Sequence, residues 1–149
     1  FGRYIYQEDL CGIPFFSELI FYQGENWEEV KAAGIRRISE EYNEKQFTSS
    51  ELNRLFNTLI KMYGPVAEYH DNVFSIKGTT YLAYDIEDPD VKEKYENGEL
   101  FDFDVDYLQV MWKTEDGGVV DFFYSQKHGI TLYEQTGEAT EEVGYKDFA

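Results

Sequence analysis

One segment of the chain carries a complete set of helix signals. Thr48 and Glu51 have the spacing of a capping box, in which each side chain accepts a hydrogen bond from the other residue's backbone amide. Apolar residues then recur at helical spacing as far as Tyr63, and Gly64 and Pro65 follow. Glycine at the end of a helix adopts the left-handed turn and proline prevents continuation. The pattern predicts an amphipathic helix that buries its apolar stripe against another layer.

A second helix is predicted over residues 26–42. Asn26 is a favourable N-cap, and Glu28 and Glu29 lie in the first turn, where the helix dipole favours acids. Gly34 weakens such a helix by roughly 1 kcal/mol relative to alanine, which suggests close packing there. The apolar residues that recur at three- to five-residue steps are Trp27, Val30, Ile35, Ile38 and Tyr42.

Most of the remaining chain alternates apolar and polar residues between turn signals, which predicts strands. A short helix is expected over 89–96, because Asp88 can cap it and proline suits its first position. The expected strands are one or two in 1–24, broken near Gly12-Ile13-Pro14, followed by 67–69, 73–76, 79–85, 103–114, 119–126 and 130–134.

These elements predict an α+β fold, with two main helices packed on one face of an antiparallel sheet of about four to six strands that ends in a C-terminal meander. The length of 149 residues suits a single domain, expected over residues 1–134. Residues 135–149 form an acidic C-terminal tail, expected to be loose or partly docked.

The charge of the chain excludes several classes of partner. The formal net charge is −17, and residues 75–149 carry 18 acids against 6 bases. Such a field repels nucleic-acid phosphates and anionic membrane surfaces, and no apolar run is long enough for a transmembrane helix. The acids would attract a basic protein partner, or they would only keep the chain soluble.

Three alternating aspartates, Asp102, Asp104 and Asp106, raise the question of a calcium loop. An EF-hand loop that began at Asp102 would need glycine at position six and glutamate at position twelve. Tyr107 and Lys113 occupy those positions instead. The sequence therefore predicts a solvated acidic strand, with no metal site.

In the same run of residues, the apolar side chains switch from one face of the predicted strand to the other part-way along. Either a β-bulge near Tyr107-Leu108 interrupts the alternation and turns the following side chains to the other face, or the strand centre is buried on both sides. If Asp116-Gly117 is a two-residue turn, Asp106 faces Lys127 on the next strand.

Catalytic motifs are missing from the sequence. His70 and His128 belong to no two-histidine metal motif, and Cys11 is the single cysteine. No nucleophile elbow, P-loop or dinucleotide fingerprint is present. We therefore predict no enzyme activity, no catalytic residue and no cofactor.

The helix that ends at Tyr63-Gly64-Pro65, followed by a β-meander with Trp112 and Tyr124, resembles small extracytoplasmic bacterial lipoprotein domains. These include the outer-membrane assembly lipoproteins and domains like the β-lactamase inhibitor protein. The chain departs from them by an insertion over 85–102 and by the absence of a lipidation cysteine at its start. The resemblance implies a binding or scaffolding role outside the cytoplasm, and a removed signal peptide would explain a first residue other than methionine.

The leading hypothesis is a non-enzymatic protein-interaction or ligand-binding domain, extracytoplasmic in a bacterium. Its contact surface would combine exposed aromatic residues with the acidic segment, defined as residues 85–106, which holds ten acids and two lysines. The candidate contact residues are Asp88, Asp90, Glu93, Asp102, Asp104 and Asp106.

Two alternatives stay open. An acidic inhibitor or immunity-type protein in the cytoplasm could block a basic enzyme that handles nucleic acid, with Asp102, Asp104 and Asp106 imitating phosphates. A weak carbohydrate binder could use tyrosine and tryptophan platforms. The sequence does not specify an oligomeric state.

Overall fold

The computed structural model describes residues 4–23, 30–39, 47–66 and 72–144. Within them are eight strands, namely β1 Tyr4–Leu10, β2 Ile13–Gln23, β3 Val30–Ser39, β4 Val73–Ile76, β5 Thr79–Leu82, β6 Val105–Lys113, β7 Val119–Ser125 and β8 Gly129–Gln135. They form one antiparallel sheet in the order β1-β2-β3-β8-β7-β6-β4-β5. The helices are α1 Ser49–Tyr63, α2 Pro89–Glu96 and α3 Gly137–Val143, with short 3-10 turns at Ala83–Asp85 and Leu100–Asp102. The architecture is mostly β, so the predicted α+β fold with two main helices on four to six strands is wrong.

The error lies in β3, which the sequence analysis assigned to a helix. Residues 30–39 pair with β2 on one side and with β8 on the other. The β2–β3 register shifts between Ile20 and Phe21, so Ala33 and Gly34 are buried in succession and the period-two pattern is broken. A bulge of this kind makes a strand resemble a helix in sequence. Residues 26–29 and 40–42 of the predicted helix lie outside the described residues.

Gly34 explains why β3 can lie against β8. A Cβ atom added at Gly34 would come within 1.8 Å of the backbone oxygen of Glu134. A methyl group at that position is sterically impossible without moving one of the two strands. The glycine therefore marks close packing, as expected, but between strands.

The first predicted helix is confirmed. Thr48 Oγ1 accepts a hydrogen bond from Glu51 N at 3.1 Å, and Glu51 Oε1 accepts one from Thr48 N at 3.1 Å. Gly64 ends α1 with φ of 99°, in the region that glycine favours. The short helix over 89–96 and its Asp88 cap are also confirmed.

The core lies between one face of the sheet and α1, with α2 and the second 3-10 turn beside it. Phe56 of α1 is fully buried, and its ring centroid lies 5.8–6.5 Å from those of four other aromatic residues. Trp112 Nε1 donates to Gly64 O at 3.0 Å, which ties β6 to the end of α1. The aromatic partners of Phe56 are Tyr95, Phe101, Trp112 and Phe122.

β6 contains a bulge, which is the first of the two alternatives that the sequence left open. Ser75 pairs with Tyr107 whereas Ile76 pairs with Val105, so Asp106 is the extra residue. Val105 and Leu108 consequently face the core together. The strand begins two residues later than expected, which leaves Asp104 outside it.

Three finer expectations, about one turn and two strands, differ from the structure or concern residues outside the described ranges. The β6–β7 loop is longer than the predicted two-residue turn, so Gln126 N donates to Asp106 O at 3.1 Å and the predicted pairing of Asp106 with Lys127 is wrong. The strand expected over 79–85 ends at Leu82. The strand expected at 67–69 lies outside the described residues.

The opposite face of the sheet is covered at one end by α3. Ala139 is buried against Tyr22 and Ala33, and Gln135 Nε2 donates to Thr140 Oγ1 at 2.8 Å. Lys31 Nζ adds ion pairs to Glu138 at 2.7 Å and to a second acid of α3. Part of the region expected to be a tail therefore docks on the sheet.

We expect Gly34→Ala to destabilise the protein by about 1–3 kcal/mol, because the added methyl group meets backbone that packing holds in place. Urea unfolding would measure the loss. Ala32→Val adds bulk at an exposed position of the same strand and should leave stability nearly unchanged. Equal stability of Gly34→Ala and the parent would contradict the close approach of β3 and β8.

We expect Thr48→Ala to cost about 1 kcal/mol of stability, because the helix loses its capping hydrogen bonds. Thermal and urea unfolding would show the loss. Ser50→Ala, at an exposed position in the same turn, serves as the control. A loss no larger than that of the control would contradict the capping box.

Candidate functional site

The acidic segment lies on the outside of the protein. Nine of its ten acids are exposed, and only Asp106 is half-buried. The segment contains the last residue of the first 3-10 turn, the whole of α2 and the second 3-10 turn, so its acids come from several short elements. Buried Val91, Tyr95, Leu100 and Phe101 fasten these elements to the core.

Asp102 lies in the second 3-10 turn and contacts side chains of α1 and α2. Its carboxylate accepts from Lys94 Nζ of α2 at 2.7 Å and from Asn53 Nδ2 of α1 at 2.8 Å. The hydrogen bond from Lys94 lowers the pKa of Asp102 below its usual value, against a smaller opposing effect of burial. Asn53 Oδ1 also accepts from Phe101 N at 2.9 Å. Asp102 therefore has a role within the fold.

The other two aspartates of the alternating run occupy different environments. Asp104 precedes β6 and is largely exposed, with Lys77 Nζ 3.9 Å from its carboxylate. Asp106, at the bulge, accepts from Gly78 N at 2.9 Å. Asp102, Asp104 and Asp106 thus belong to a turn, a linker and a strand; Asp102 and Asp106 accept hydrogen bonds, and Asp104 forms an exposed ion pair.

The remaining candidate residues lie at the start of α2. Asp88 caps the helix, because its carboxylate accepts from Asp90 N at 2.9 Å. Asp90 and Glu93 are exposed and make no side-chain hydrogen bond or ion pair with the described residues. The same is true of Asp85, Glu87 and Glu96.

The acids do not converge as metal ligands do. Among residues 4–23, 30–39, 47–66 and 72–144, no group of three or more His, Cys, Asp or Glu side chains is arranged to hold a metal ion. The chemistry that these exposed acids support is long-range attraction of positive charge.

A second surface was not recognised in the sequence. Beyond the part covered by α3, the open face of the sheet carries a row of seven uncharged residues, one from each strand β2 to β8. We call this row the open stripe. It comprises Phe16, Ile38, Thr131, Phe123, Gln109, Val73 and Leu82.

The open stripe is more apolar than the solvated face of an antiparallel sheet, which alternation normally makes polar. Leu82 is 39% exposed, and the other six members are half-buried. Tyr107 packs edge-on against Phe123 with ring centroids 5.2 Å apart. The row crosses seven strands, so no pattern within one strand reveals it, and the assignment of β3 to a helix removed one of those strands from consideration.

The row beside the open stripe is charged, because it contains Glu18, Arg36 and Asp121. Glu18 accepts from Arg36 at 2.5 Å, and both side chains are less than one-fifth exposed. The pair places one positive and one negative charge at the same spot, so it adds no net charge to the open face.

A polar cluster on the helix-covered face links four elements. Arg37 of β3 donates to Glu8 of β1 and, at 3.0 Å, to Glu134 of β8. Tyr63 of α1 donates its hydroxyl hydrogen to Glu134. We call Glu8, Arg37, Tyr63 and Glu134 the Arg37 cluster. Its groups satisfy each other, so it fastens the strands and α1 together.

The Arg37 cluster changes the acidity of its members. Partial burial works against ionisation of Glu8, but the hydrogen bond and charge of Arg37 outweigh it and hold the pKa of Glu8 below its usual value. Burial and the neighbouring carboxylate of Glu134 raise the pKa of the Tyr63 hydroxyl. Tyr63 therefore keeps its proton and remains a hydrogen-bond donor.

No protein-family model, curated protein sequence or solved structure matches the chain. Within the described residues, none of the helices has the length and apolar character needed to cross a membrane. The case for a function therefore depends on the two surfaces.

We expect acid to reduce the stability of the parent protein more than it reduces the stability of the Glu8→Gln variant. The folded pKa of Glu8 lies below its ordinary value of 4.5, so its stabilising effect is complete above that pH and is lost as the pH falls through the folded pKa. Urea unfolding at about pH 5 and about pH 3 would measure the difference.

Glu115→Gln is the matched control, because Glu115 is exposed and makes no side-chain hydrogen bond or ion pair with the described residues. It should keep the pH dependence of the parent. A Glu8→Gln variant that loses as much stability in acid as the parent would contradict the role of Arg37.

Proposed function

We propose that the protein is a non-enzymatic protein-binding domain whose acidic segment binds a basic partner. The observation that carries this proposal is the exposure of nine of the ten acids between Asp85 and Asp106 on a rigidly attached surface. The partner is a protein that presents lysine and arginine side chains.

The acids differ in how free they are to bind. Asp88 and Asp102 are engaged as a helix cap and in ion pairing. Asp90, Glu93 and Glu96 project from the short helix α2 into solvent. An exposed carboxylate with no internal partner loses no hydrogen bond when a cation approaches it. We therefore assign the main contacts to α2.

Rigid attachment supports specific recognition. Val91 and Tyr95 anchor the inner side of α2, and the ring of Tyr95 stacks on Phe74 with centroids 5.2 Å apart. A helix held in this way presents its acids in a constant arrangement, so binding does not have to order it. Electrostatic complementarity of this kind raises the association rate and selects among partners.

The structure weakens the phosphate-mimicry alternative. That hypothesis uses Asp102, Asp104 and Asp106 as equivalent charges, whereas Lys94 and Asn53 engage Asp102 and Gly78 N engages Asp106. The acids of α2 are better placed to meet a cationic surface. The location outside the cytoplasm of a bacterium stays a prediction, and it rests on the sequence resemblance.

We expect a variant that combines Asp90→Asn and Glu93→Gln to bind basic partners more weakly than the parent. The probe is a displayed library of arginine- and lysine-rich helical peptides, from which the parent protein selects binders. Two charges near a cationic surface contribute up to about 1 kcal/mol each when exposed, so the affinity should fall by roughly 3- to 30-fold.

The control combines Glu115→Gln with Glu141→Gln, which removes the same net charge from exposed positions outside the acidic segment. It should retain nearly all the affinity. An equal loss in both double variants would show attraction to net charge alone and would overturn the proposal. An unchanged affinity in the Asp90 and Glu93 variant would overturn it as well.

A further inference from the structure

We propose that Asn97 is a deamidation site whose reaction is restrained by the packing of α1 against the end of α2, with Asn57 as the restraining residue. Asn97 is followed by Gly98, whereas the other five asparagines of the chain are followed by larger residues. Asparagine before glycine deamidates fastest in unstructured chains, because glycine has no side chain to hinder attack by its backbone nitrogen. The inference does not rest on the proposed function.

The reaction consumes only the chain itself and water. The backbone nitrogen of Gly98 attacks Cγ of Asn97, and a C–N bond forms. That nitrogen loses its proton, and the side-chain amide leaves as ammonia. The resulting five-membered succinimide ring opens when water adds at either of its carbonyl groups. The products carry aspartate or isoaspartate at position 97, and each has a negative charge that asparagine lacks.

The side chain of Asn97 is open to this chemistry, so the restraint lies in the backbone. Asn97 is exposed, and its side-chain amide makes no hydrogen bond with the described residues. Ring closure requires Cβ of Asn97 and the nitrogen of Gly98 to lie on the same side of the Cα–C bond. At the observed ψ of −2°, the tetrahedral geometry at Cα puts them roughly 120° apart. The peptide group must therefore rotate before the ring can form.

Backbone hydrogen bonds at the end of α2 oppose that rotation. Gly98 N donates to Tyr95 O at 3.3 Å, and Glu99 N donates to Lys94 O at 2.9 Å. With the positive φ of Gly98, 73°, these bonds form a Schellman motif. Rotation about ψ of Asn97 redirects the following backbone and breaks both bonds.

Asn57 of α1 holds the same peptide group from the outside. Its Nδ2 donates to Asn97 O at 2.9 Å. Gly98 is buried, and a Cβ atom added there would lie 2.9 Å from Asn57 Cα. The peptide group between Asn97 and Gly98 is therefore hydrogen-bonded at its oxygen and packed against α1 on its far side. It can turn only when the end of α2 separates from α1.

The reaction would loosen α2 irreversibly. The new negative charge lies at the C-terminal end of a helix, where the macrodipole disfavours it. Isoaspartate also adds a carbon atom to the backbone, which neither the Schellman motif nor the contact with Asn57 accommodates. Deamidation at Asn97 thus starts from a transient opening of the α2 end and prevents that end from closing as before.

The first test compares the folded protein with an unstructured reference of the same local sequence. A synthetic peptide of residues 92–102 serves as the reference, because a helix of this length is not stable alone. Peptide mapping and enzymatic labelling of isoaspartate follow both during incubation at mildly alkaline pH. Asn97 should react at least about 10-fold more slowly in the folded protein, since reaction requires local opening. Equal rates would overturn the inference.

The second test removes the restraint. Asn57→Ala should raise the deamidation rate of Asn97 in the folded protein about 5-fold, the effect of losing one hydrogen bond of typical strength. Asn57→Asp keeps the size of the side chain, removes the donor and should act in the same direction if Asn57→Ala fails to fold. An unchanged rate in the folded variants would overturn the role of Asn57.

Asn53→Ala is the matched control, because Asn53 also joins α1 to the acidic segment. It removes the hydrogen bonds to Phe101 N and Asp102 but leaves those around Asn97 in place. The deamidation rate of Asn97 should stay close to that of the parent. An acceleration equal to that of Asn57→Ala would show general loosening of the segment and would overturn the specific restraint.

The consequence for α2 is tested on aged protein. Incubated parent protein that carries isoaspartate at position 97 should show faster amide hydrogen exchange in α2 than fresh protein. Asn97→Gln closes the corresponding six-membered ring far more slowly, so its exchange should not change with incubation. Unchanged exchange in the deamidated parent, or isoaspartate that persists in this segment of Asn97→Gln, would contradict the inference.

Discussion

The pairing of β3 with β8 is the constraint on which the structure depends. It joins the three N-terminal strands to the five that follow α1, and so converts two smaller sheets into one of eight strands. Gly34 permits the close approach of the two backbones. Arg37 then links β3 to β1 through Glu8 and to β8 through Glu134. Both the open face and the position of α3 follow from this junction.

The eight-stranded sheet separates three kinds of surface. One face is buried by α1, α2 and the second 3-10 turn around Phe56. The acids of residues 85–106 decorate the outside of the elements that cover this face, and we assign them to a basic partner. The opposite face is covered at one end by α3 and carries the open stripe, with Phe123 in its middle.

Sequence patterns predicted the elements whose signals are local. The capping box at Thr48, the stop at Gly64 and the Asp88 cap depend on residues within one or two helical turns, so they could be read directly. The bulge in β6 was also readable, because its apolar face changes along the strand. The register of the β6–β7 hairpin could not be predicted from the sequence, because one additional loop residue shifts every pair. For the candidate site, exposure of the acids was foreseen, but the engagement of Asp102 by two helices depends on distant contacts.

The sequence by itself determined α1, α2, the C-terminal meander and the acidic character of the surface, because each follows from neighbouring residues or from composition. Only the tertiary structure decided that residues 30–39 form a central strand, since a bulge obscures their alternation and pairing on both sides outweighs local preference. It also decided which residues share the open stripe. Seven strands contribute one residue each to that row, and no pattern within a single strand reveals a row that runs across the sheet.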